Sequence, residues 1–309
     1  MISFSYLKSQ MFIENLRRID SLRTQLHSLI LTRENERRFR WETRVEQIYY
    51  DLSLYDLSFS KKSIAQAIKS TSPPVAEKEL LIYRWKEALS YIDNNCFFRQ
   101  EPLNEDSLYE IFRIIQPKLR YQPFQELPEY VRYAMTEDHP VTRAALLQLI
   151  VYNLQAFPSL NEPFSHLAYQ LVLTWSGWNL RGFVCIEEQY FHDRAYYKEL
   201  IRNTYTSGNV TQWIEYVSEA LIKQFDHIIE TYSVKQHSRE AKNEFFILND
   251  RQKKILSLLD EPDSSINNRS LQKITGISQM TAARDLAKLV EHGLITSHGK
   301  GRGVTYTRN

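Results

Sequence analysis

Apolar residues recur at steps of three and four along most of the chain, which predicts a protein built almost wholly of helices. Over residues 12–48 the apolar stripe is continuous and predicts one long N-terminal helix. The basic stretch from Arg33 to Arg44 lies within it, and its interleaved glutamates are typical of a solvated helix face. Asn104 is a candidate cap for a later helix. Further helices are predicted near residues 76–94, 104–116 and 209–232, and helical stretches between 128 and 200 are predicted to be interrupted at 155–163 and 177–182.

Breaks in this pattern divide the chain into three segments. Prolines interrupt it at 70–74 and again at 117–128, and a polar stretch follows at 233–247. The predicted organisation is an N-terminal helical region at 1–75, a helical domain at 76–247 and a small separate domain at 248–309. A length of 309 residues, with 43% hydrophobic and 25% charged residues, suits such an arrangement.

The small C-terminal domain has the clearest local pattern. Its predicted elements are helix 250–260 capped by Asn249, helix 268–275 closed by Gly276, a helix from Ser278 to His292, and a β-hairpin at 294–297 and 304–307 around Gly299–Gly303. The three-residue connection between the second and third helices is typical of a helix-turn-helix. Three helices followed by a hairpin predict a winged helix. The predicted fold class is therefore mainly α, a helical bundle followed by a winged-helix domain.

The charge of this domain favours double-stranded DNA as its partner. Residues 249–309 hold ten Lys or Arg and six Asp or Glu, a net charge of +4, whereas the whole chain has +2. In a winged helix the third helix enters the major groove, where Gln and Arg read base edges and Lys contacts phosphates. The predicted DNA contacts are Gln279, Thr281, Arg284, Lys288, Lys300 and Arg302, and Met280 is expected to be exposed beside them. The alternative for such a module is docking onto a protein or dimerisation.

The segment from His139 to Leu200 has a second pattern, in which two helices flank a short loop. The loop and the start of its second helix read Gln155-Ala-Phe-Pro-Ser-Leu-Asn-Glu-Pro-Phe-Ser-His166, and Ser176-Gly-Trp-Asn-Leu-Arg-Gly182 and Tyr196-Tyr197 follow. This succession resembles the Fic family, over about residues 80–309 with the winged helix included. The resemblance implies a helical bundle, and most members of the family transfer AMP from ATP to a protein hydroxyl.

The resemblance assigns the residues of this loop to the family pattern H-P-F-x-[DE]-G-N-G-R-x-x-R. Phe157 and Asn161 match the pattern. The substituted positions are Gln155 at the histidine, Ala156 at the proline, Ser159 at the acidic residue that helps hold Mg²⁺, Leu160 and Glu162 at the two glycines, and Pro163 and His166 at the two arginines. Gln155 cannot supply the general-base catalysis that is worth about 10²–10⁴-fold. Glu162 would place a negative charge where phosphates lie in the family, and Pro163 has no N–H to donate.

We therefore expect no catalytic residue, no metal site and no cofactor, and we interpret the loop as degenerate. Pro163 is predicted to be the first residue of the following helix, and His166 is expected to have a structural role on that helix. The flap of the family is reduced to residues 119–126. The nearest counterpart of the family's inhibitory glutamate is Asp56, and the helix that begins at His139-Pro140 contains no second loop.

Three functional hypotheses follow. The first is a catalytically degenerate Fic-fold protein that binds DNA through its winged helix. Its helical body would dimerise, or would sense a ligand or a protein partner and move the winged helices. The second is protein adenylyl transfer or a related reaction, with ATP and Mg²⁺ and with Asn161, Glu162 or His166 in altered roles. The third is a protein-interaction scaffold, in which residues 12–48 form a coiled coil. A cytoplasmic location is expected, because the sequence shows neither a membrane-spanning apolar run nor a secretory signal, and Cys96 and Cys185 fall in apolar stretches as buried thiols do.

Overall fold

The computed structural model describes residues 4–29, 31, 33–96, 103–119, 124–155, 157, 160–178, 180–240, 248–259, 264–291, 294–299 and 301–308. The chain forms two compact units. The first, which we call the helical body, comprises Met1–Leu29 and Thr43–Ile229. The second comprises Ile30–Glu42 and Glu230–Asn309.

The helical body contains nine helices within the described residues and shares two more, α2 and α11, with the second unit. The helices are α1 (Gln10–Ser28), α2 (Arg33–Leu54), α3 (Lys61–Lys69), α4 (Glu77–Asn95), α5 (Asp106–Ile115), α6 (Leu127–Met135), α7 (Pro140–Leu154), α8 (Asn161–Trp175), α9 (Ile186–His192), α10 (Arg194–Ser207) and α11 (Thr211–Glu240). A 3-10 turn at Leu180–Gly182 connects α8 to α9.

Helices α7 and α8 lie at the centre of the body and form an antiparallel hairpin. Nearly all of their residues are buried, from Val141 to Val151 in α7, where Arg143 is half-buried, and from Pro163 to Thr174 in α8. An apolar helix buried all around needs neighbours on all faces. One of these neighbours is α11, whose Trp213 donates from Nε1 to the Ala145 carbonyl at 2.9 Å. The loop between α7 and α8 is therefore held by the most deeply buried pair of helices.

The predicted single helix over residues 12–48 is wrong, because the structure has two helices there. Helix α1 ends at Ser28, and Leu29 has an extended backbone conformation. Helix α2 then begins at Arg33. The apolar stripe runs on through this break, so periodicity alone did not reveal it.

Two predicted helix starts also differ from the structure. Helix α5 begins at Asp106, and the Asn104 side chain donates to the Asp106 carboxylate at 3.2 Å instead of capping the helix. Helix α8 begins at Asn161, so Pro163 is its third residue and not its first. Proline fits there because none of the first four N–H groups of a helix has an intrahelical partner.

The second unit contains α12 (Asp250–Leu258), β1 (Ile266–Asn267), α13 (Asn268–Thr275), α14 (Gln279–Glu291), β2 (Ile295–His298) and β3 (Thr305–Arg308). The strands form an antiparallel sheet in the order β1-β3-β2. Strand β1 was not predicted, since two residues are too few to show a pattern. The core contains Ile255, Leu256, Leu259, Ile266, Leu271, Ala282, Leu286, Leu289 and Ile295.

The predicted caps of this unit are confirmed. Asn249 accepts from the Gln252 N–H at 2.9 Å and Gln252 bonds back to Asn249, forming a capping box. Gly276 ends α13 with a φ of 70°, a left-handed conformation that glycine adopts without a steric penalty. Ser278 accepts from the Thr281 N–H at 3.2 Å at the start of α14. No helix among the described residues is both long and apolar enough to cross a membrane. The side chains of Cys96 and Cys185 are buried, as predicted.

Candidate functional site

Two of the described residues in the loop between α7 and α8 are non-glycine residues in a left-handed conformation. Gln155 ends α7 with a φ of 48°, and Leu160 precedes α8 with a φ of 53°. Such a conformation costs an L-amino acid about 1–2 kcal/mol. Leu160 stands at a position where the family resemblance places glycine. The backbone therefore keeps a conformation that suits glycine, although its residue is now a leucine.

The two residues that match the family pattern both stabilise this loop. Asn161 donates from Nδ2 to the carbonyls of Val151 and Tyr152, each at 3.0 Å, and its Oδ1 accepts from the Phe157 N–H at 3.3 Å. These carbonyls belong to the last turn of α7 and have no partner inside the helix. Phe157 is buried, with its ring 4.2 Å from that of Phe164. Asn161 and Phe157 thus fix the loop against the two central helices.

Gln155 also contributes to the end of α7. Its Nε2 donates to the Tyr152 carbonyl at 2.6 Å. A carboxamide has no nitrogen that titrates near neutral pH, so it cannot remove a proton from a hydroxyl as a histidine can. Ser159, the substitute at the acidic position, lies outside the described residues.

The N-terminus of α8 carries its own carboxylate. Glu162 is the second residue of this helix, and its Oε1 is buried and has no hydrogen-bond partner among the described residues. Burial, and then the Glu162 carboxylate, raise the pKa of Tyr152. The positive end of the helix dipole favours an anion at this place, and here the anion is a side chain of the protein. Pro163, next in the helix, has no N–H to offer a phosphate.

His166 is part of a buried polar network and is not a lone residue. Its Nδ1 lies 2.5 Å from Asp51 Oδ1 of α2, and its Nε2 lies 2.8 Å from the Tyr197 hydroxyl of α10. Trp85 of α4 donates to the other oxygen of Asp51 at 3.0 Å. Burial alone would lower the pKa of His166, but the Asp51 carboxylate acts against it and the net direction is upward. Both ring nitrogens are engaged, so neither faces a substrate.

The acid that contacts His166 is Asp51 and not Asp56, the residue that the resemblance suggested as the counterpart of the family's inhibitory glutamate. Asp56 lies beyond the end of α2, exposed, and pairs with Arg194 at 2.7 Å. Asp51, one and a half turns earlier, is the acid that faces His166 at the second arginine position. Because Asp51 lies inside α2, its side chain is directed into the body, whereas Asp56 follows the last helical residue.

Glu187 of α9 is a second buried acid that the sequence analysis missed. It is 1% exposed, and its Oε1 accepts from Gln170 Nε2 at 3.1 Å, while its Oε2 has no partner among the described residues. Burial, and then the Asp51 carboxylate, raise the pKa of Glu187 to about 7. The sequence shows two adjacent glutamates here, and nothing in it separates the buried Glu187 from the partly exposed Glu188.

On the winged helix, α14 presents three of the predicted DNA contacts to solvent. Gln279, Arg284 and Lys288 are exposed. Thr281 is half-buried, and its hydroxyl lies 2.9 Å from the Ser278 hydroxyl, so it contributes to the cap of the helix. Met280, also expected on this surface, is 73% exposed. Lys300 and the side chain of Arg302 lie outside the described residues.

The acidic residue in the middle of α14 faces inward. Asp285 is buried and accepts from Arg251 Nε of α12 at 2.9 Å and from the Asn249 side chain at 3.4 Å. The outer face between Gln279 and Lys288 therefore has cationic and neutral side chains but no exposed carboxylate. This arrangement suits contact with a polyanion.

Comparisons with known proteins agree with both parts of this description. Residues 248–296 match the family described as winged helix-turn-helix DNA-binding. No curated protein matches the sequence. Among solved structures, the chain is similar to a Fic family protein from Desulfovibrio desulfuricans G20, with 12% identity, a TM-score of 0.63, and coverage of 99% of this chain and 98% of that one.

Two further solved structures resemble about two thirds of the chain. A fragment of Fic-1 from C. elegans has 16% identity and a TM-score of 0.54, covering 71% of each chain. A Fic domain containing signaling protein from Bacteroides thetaiotaomicron VPI-5482 has 16% identity and a TM-score of 0.51, covering 71% of this chain and 98% of that one. The predicted fold class is confirmed: the chain has the fold of Fic family proteins and carries a winged helix-turn-helix domain at residues 248–296.

Proposed function

We propose that the protein is a DNA-binding regulator that contacts double-stranded DNA through its winged helix, and that its helical body does not transfer nucleotides. The observation that carries this proposal is the outer face of α14, where Gln279, Arg284 and Lys288 are exposed together. Gln and Arg can each make paired hydrogen bonds to a base edge in the major groove, and Lys suits a phosphate. The match of residues 248–296 to a DNA-binding family supports the same function.

The residue types of the α7–α8 loop do not suit nucleotide transfer, and this supports the proposal that the helical body has no transferase activity. Gln155 replaces the general base, and its amide is bonded to the Tyr152 carbonyl. Glu162 places a negative charge at the helix end where phosphates would bind, which opposes nucleotide binding. His166, which could act as a base in an altered mechanism, is buried with both nitrogens bonded to protein groups. We propose that the degenerate loop now has a structural role.

We further propose that the protein acts as a homodimer. Paired winged helices would read two half-sites about one helical turn apart, and the site would be palindromic. The body would supply the dimer contact or bind a further protein.

The first test is a selection of duplexes from random-sequence DNA with the full-length protein, followed by anisotropy titrations at several salt concentrations. We expect a selected duplex to bind more tightly than an unrelated one. The logarithm of the binding constant should fall linearly with the logarithm of salt concentration, with a slope of about −0.9 for each phosphate contacted. Absence of any salt-dependent binding would contradict the proposal and would favour the scaffold hypothesis.

Protein adenylyl transfer is the second candidate, and the overall likeness to Fic family proteins favours it. A calorimetric titration with ATP, with and without Mg²⁺, tests it directly. We expect no binding heat at ATP concentrations up to the millimolar range, because Glu162 repels phosphates and Pro163 offers no N–H. Micromolar binding would support the transferase hypothesis. Labelled-ATP transfer assays with the Gln155→His variant would then be the next experiment.

A further inference from the structure

A cleft with a volume of about 310 Å³ lies within the helical body, and we call it the α1 cleft. One wall is formed by α1 and the short segment before it, and the other by residues 137–139 with the first turn of α7. The degenerate loop lies at the opposite end of α7, a helix of 15 residues that is about 22 Å long. The α1 cleft is therefore separate from the loop, and its volume suits a small molecule.

The α1 wall of the cleft has an apolar strip. Phe12 and Leu16 lie one turn apart on α1, with Ile13 beside them. Phe12 is buried, whereas Ile13 and Leu16 are half-buried and keep part of their surface in contact with solvent. At the N-terminal end of the strip, the Tyr6 hydroxyl donates to Glu137 Oε2 at 2.5 Å and joins the two walls. An apolar group that covered the strip would be stabilised by the burial of this surface.

Charges of both signs lie beside the apolar strip. Arg17 and Asp20 are exposed, line the cleft and stand three residues apart, so they lie on the same side of α1. Among the described residues, Arg17 has no carboxylate partner and Asp20 has no Lys or Arg partner. Lys8 and Asp138 add one further charge of each sign to the lining. A ligand that satisfies Arg17 and Asp20 together must carry a negative and a positive group close to each other.

His139 leaves the Asp20 carboxylate available to a cation. The Nδ1 of His139 accepts from the Val141 N–H at 3.2 Å and caps α7, so the proton of the neutral ring lies on Nε2. Nε2 lies 3.6 Å from Asp20 Oδ1, which is too far for a hydrogen bond. Burial lowers the pKa of His139 in spite of Asp20, so at neutral pH the ring carries no charge that would neutralise Asp20.

We propose that the α1 cleft binds a free amino acid with an apolar side chain. Its carboxylate pairs with Arg17, its ammonium group pairs with Asp20, and its side chain covers the apolar strip at Leu16. An arginine suits a carboxylate because it can donate two parallel hydrogen bonds to it. The two charged groups of an amino acid are attached to one carbon atom, which matches the adjacent Arg17 and Asp20. This inference does not depend on the proposed DNA binding.

The first test is a calorimetric titration of the full-length protein with leucine, isoleucine, valine, methionine, phenylalanine and tryptophan, each taken separately. We expect at least one of them to bind with a Kd of about 1 mM or below. N-acetylation of that amino acid removes its positive charge, and amidation of its carboxylate removes its negative charge. Each blocked form should bind at least about tenfold more weakly, because each loses a hydrogen-bonded charge pair.

Two variants test the assigned contacts. Arg17→Ala and Asp20→Asn should each weaken binding of that amino acid by at least about tenfold. The matched controls are Arg18→Ala and Glu14→Gln, which remove the same charges from exposed positions on α1 outside the cleft. They should change the affinity by less than about twofold, because solvent screens their charges. All four side chains are exposed, so folding should not change, which circular dichroism can check.

Absence of binding by all six amino acids would overturn the proposal. Equally tight binding of the acetylated form would also overturn it, since the ammonium group would then have no role. Equal losses of affinity in Arg17→Ala and Arg18→Ala would show that general charge, and not the cleft, attracts the ligand. None of these outcomes bears on DNA binding, which the titrations with the selected duplex test separately.

Discussion

Replacing Asp51 by alanine should lower the free energy of unfolding of the helical body by about 3–5 kcal/mol. The Asp51 and His166 side chains are 1% and 0% exposed, and they join α2 to α8 deep in the body. Removing the carboxylate leaves the His166 imidazolium without its counter-ion and Trp85 Nε1 without its acceptor. Urea denaturation followed by tryptophan fluorescence measures the change, since Trp85 reports on this region.

Asp56→Ala is the matched control. It removes the same side chain from the same stretch of sequence, but the ion pair of Asp56 with Arg194 lies at the surface. Exposed ion pairs are screened by water and salt and contribute little. We expect the control to unfold at nearly the wild-type urea concentration. An equal loss in both variants would contradict the importance of the buried pair.

The effect of Asp51→Ala should depend on pH. The pKa of His166 is raised above its ordinary 6.5 by Asp51, in spite of burial. The folded state thus holds this proton more tightly than the unfolded state does. The stabilisation by the pair is then complete below about pH 6.5 and is lost as the pH rises through the folded pKa. The difference between wild type and Asp51→Ala should be larger at pH 6 than at pH 9.

Glu187 adds a second titration in the same direction. Its pKa is about 7 in the folded body against an ordinary 4.5, so the folded state binds the extra proton between these values. Stability therefore falls as the pH rises from about 4.5 to about 7. Glu187→Gln removes this titration, while Asp51 still raises the pKa of His166. The free energy of unfolding of the variant, measured by urea denaturation, should therefore change less with pH over this range than that of the wild type.

The winged helix was predictable because its boundaries are signalled locally. Asn249, Gly276 and Ser278 each act within three or four residues of their own position, through a side-chain cap or a left-handed backbone. The break between α1 and α2 has no such signal. An apolar stripe shows which residues face the core but does not show where one helix ends and the next begins.

The loop was only partly predictable for a different reason. The sequence shows that Gln155, Glu162 and Pro163 replace the family's histidine, glycine and arginine, because these are changes of residue type within a short pattern. The partner of His166 is not visible, since Asp51 is 115 residues away in the chain. Its identity depends on which face of α2 packs against α8. The sequence pattern pointed to Asp56, and only the packing of the helices selects Asp51.

The double variant Arg284→Ala/Lys288→Ala should weaken binding to the selected duplex by about 100-fold or more, since each contact is worth about 1–3 kcal/mol. The two single variants should differ in kind. Arg284→Ala should relax the preference at one base pair, because an arginine reads a base edge. Lys288→Ala should weaken all duplexes by a similar factor and reduce the salt slope by about 1. Anisotropy titrations with the selected duplex and a set of single-base variants distinguish the two.

Lys254→Ala/Lys273→Ala is the control for this pair, because it removes the same charge from exposed positions on α12 and α13. If both double variants lose affinity equally, DNA is attracted by net charge alone and α14 has no special role. A loss confined to the α14 variant means that this face makes the contact. Asp285 then explains why the face can do so, because the only acid in the middle of α14 is turned inward to Arg251 and leaves the outer surface free of negative charge.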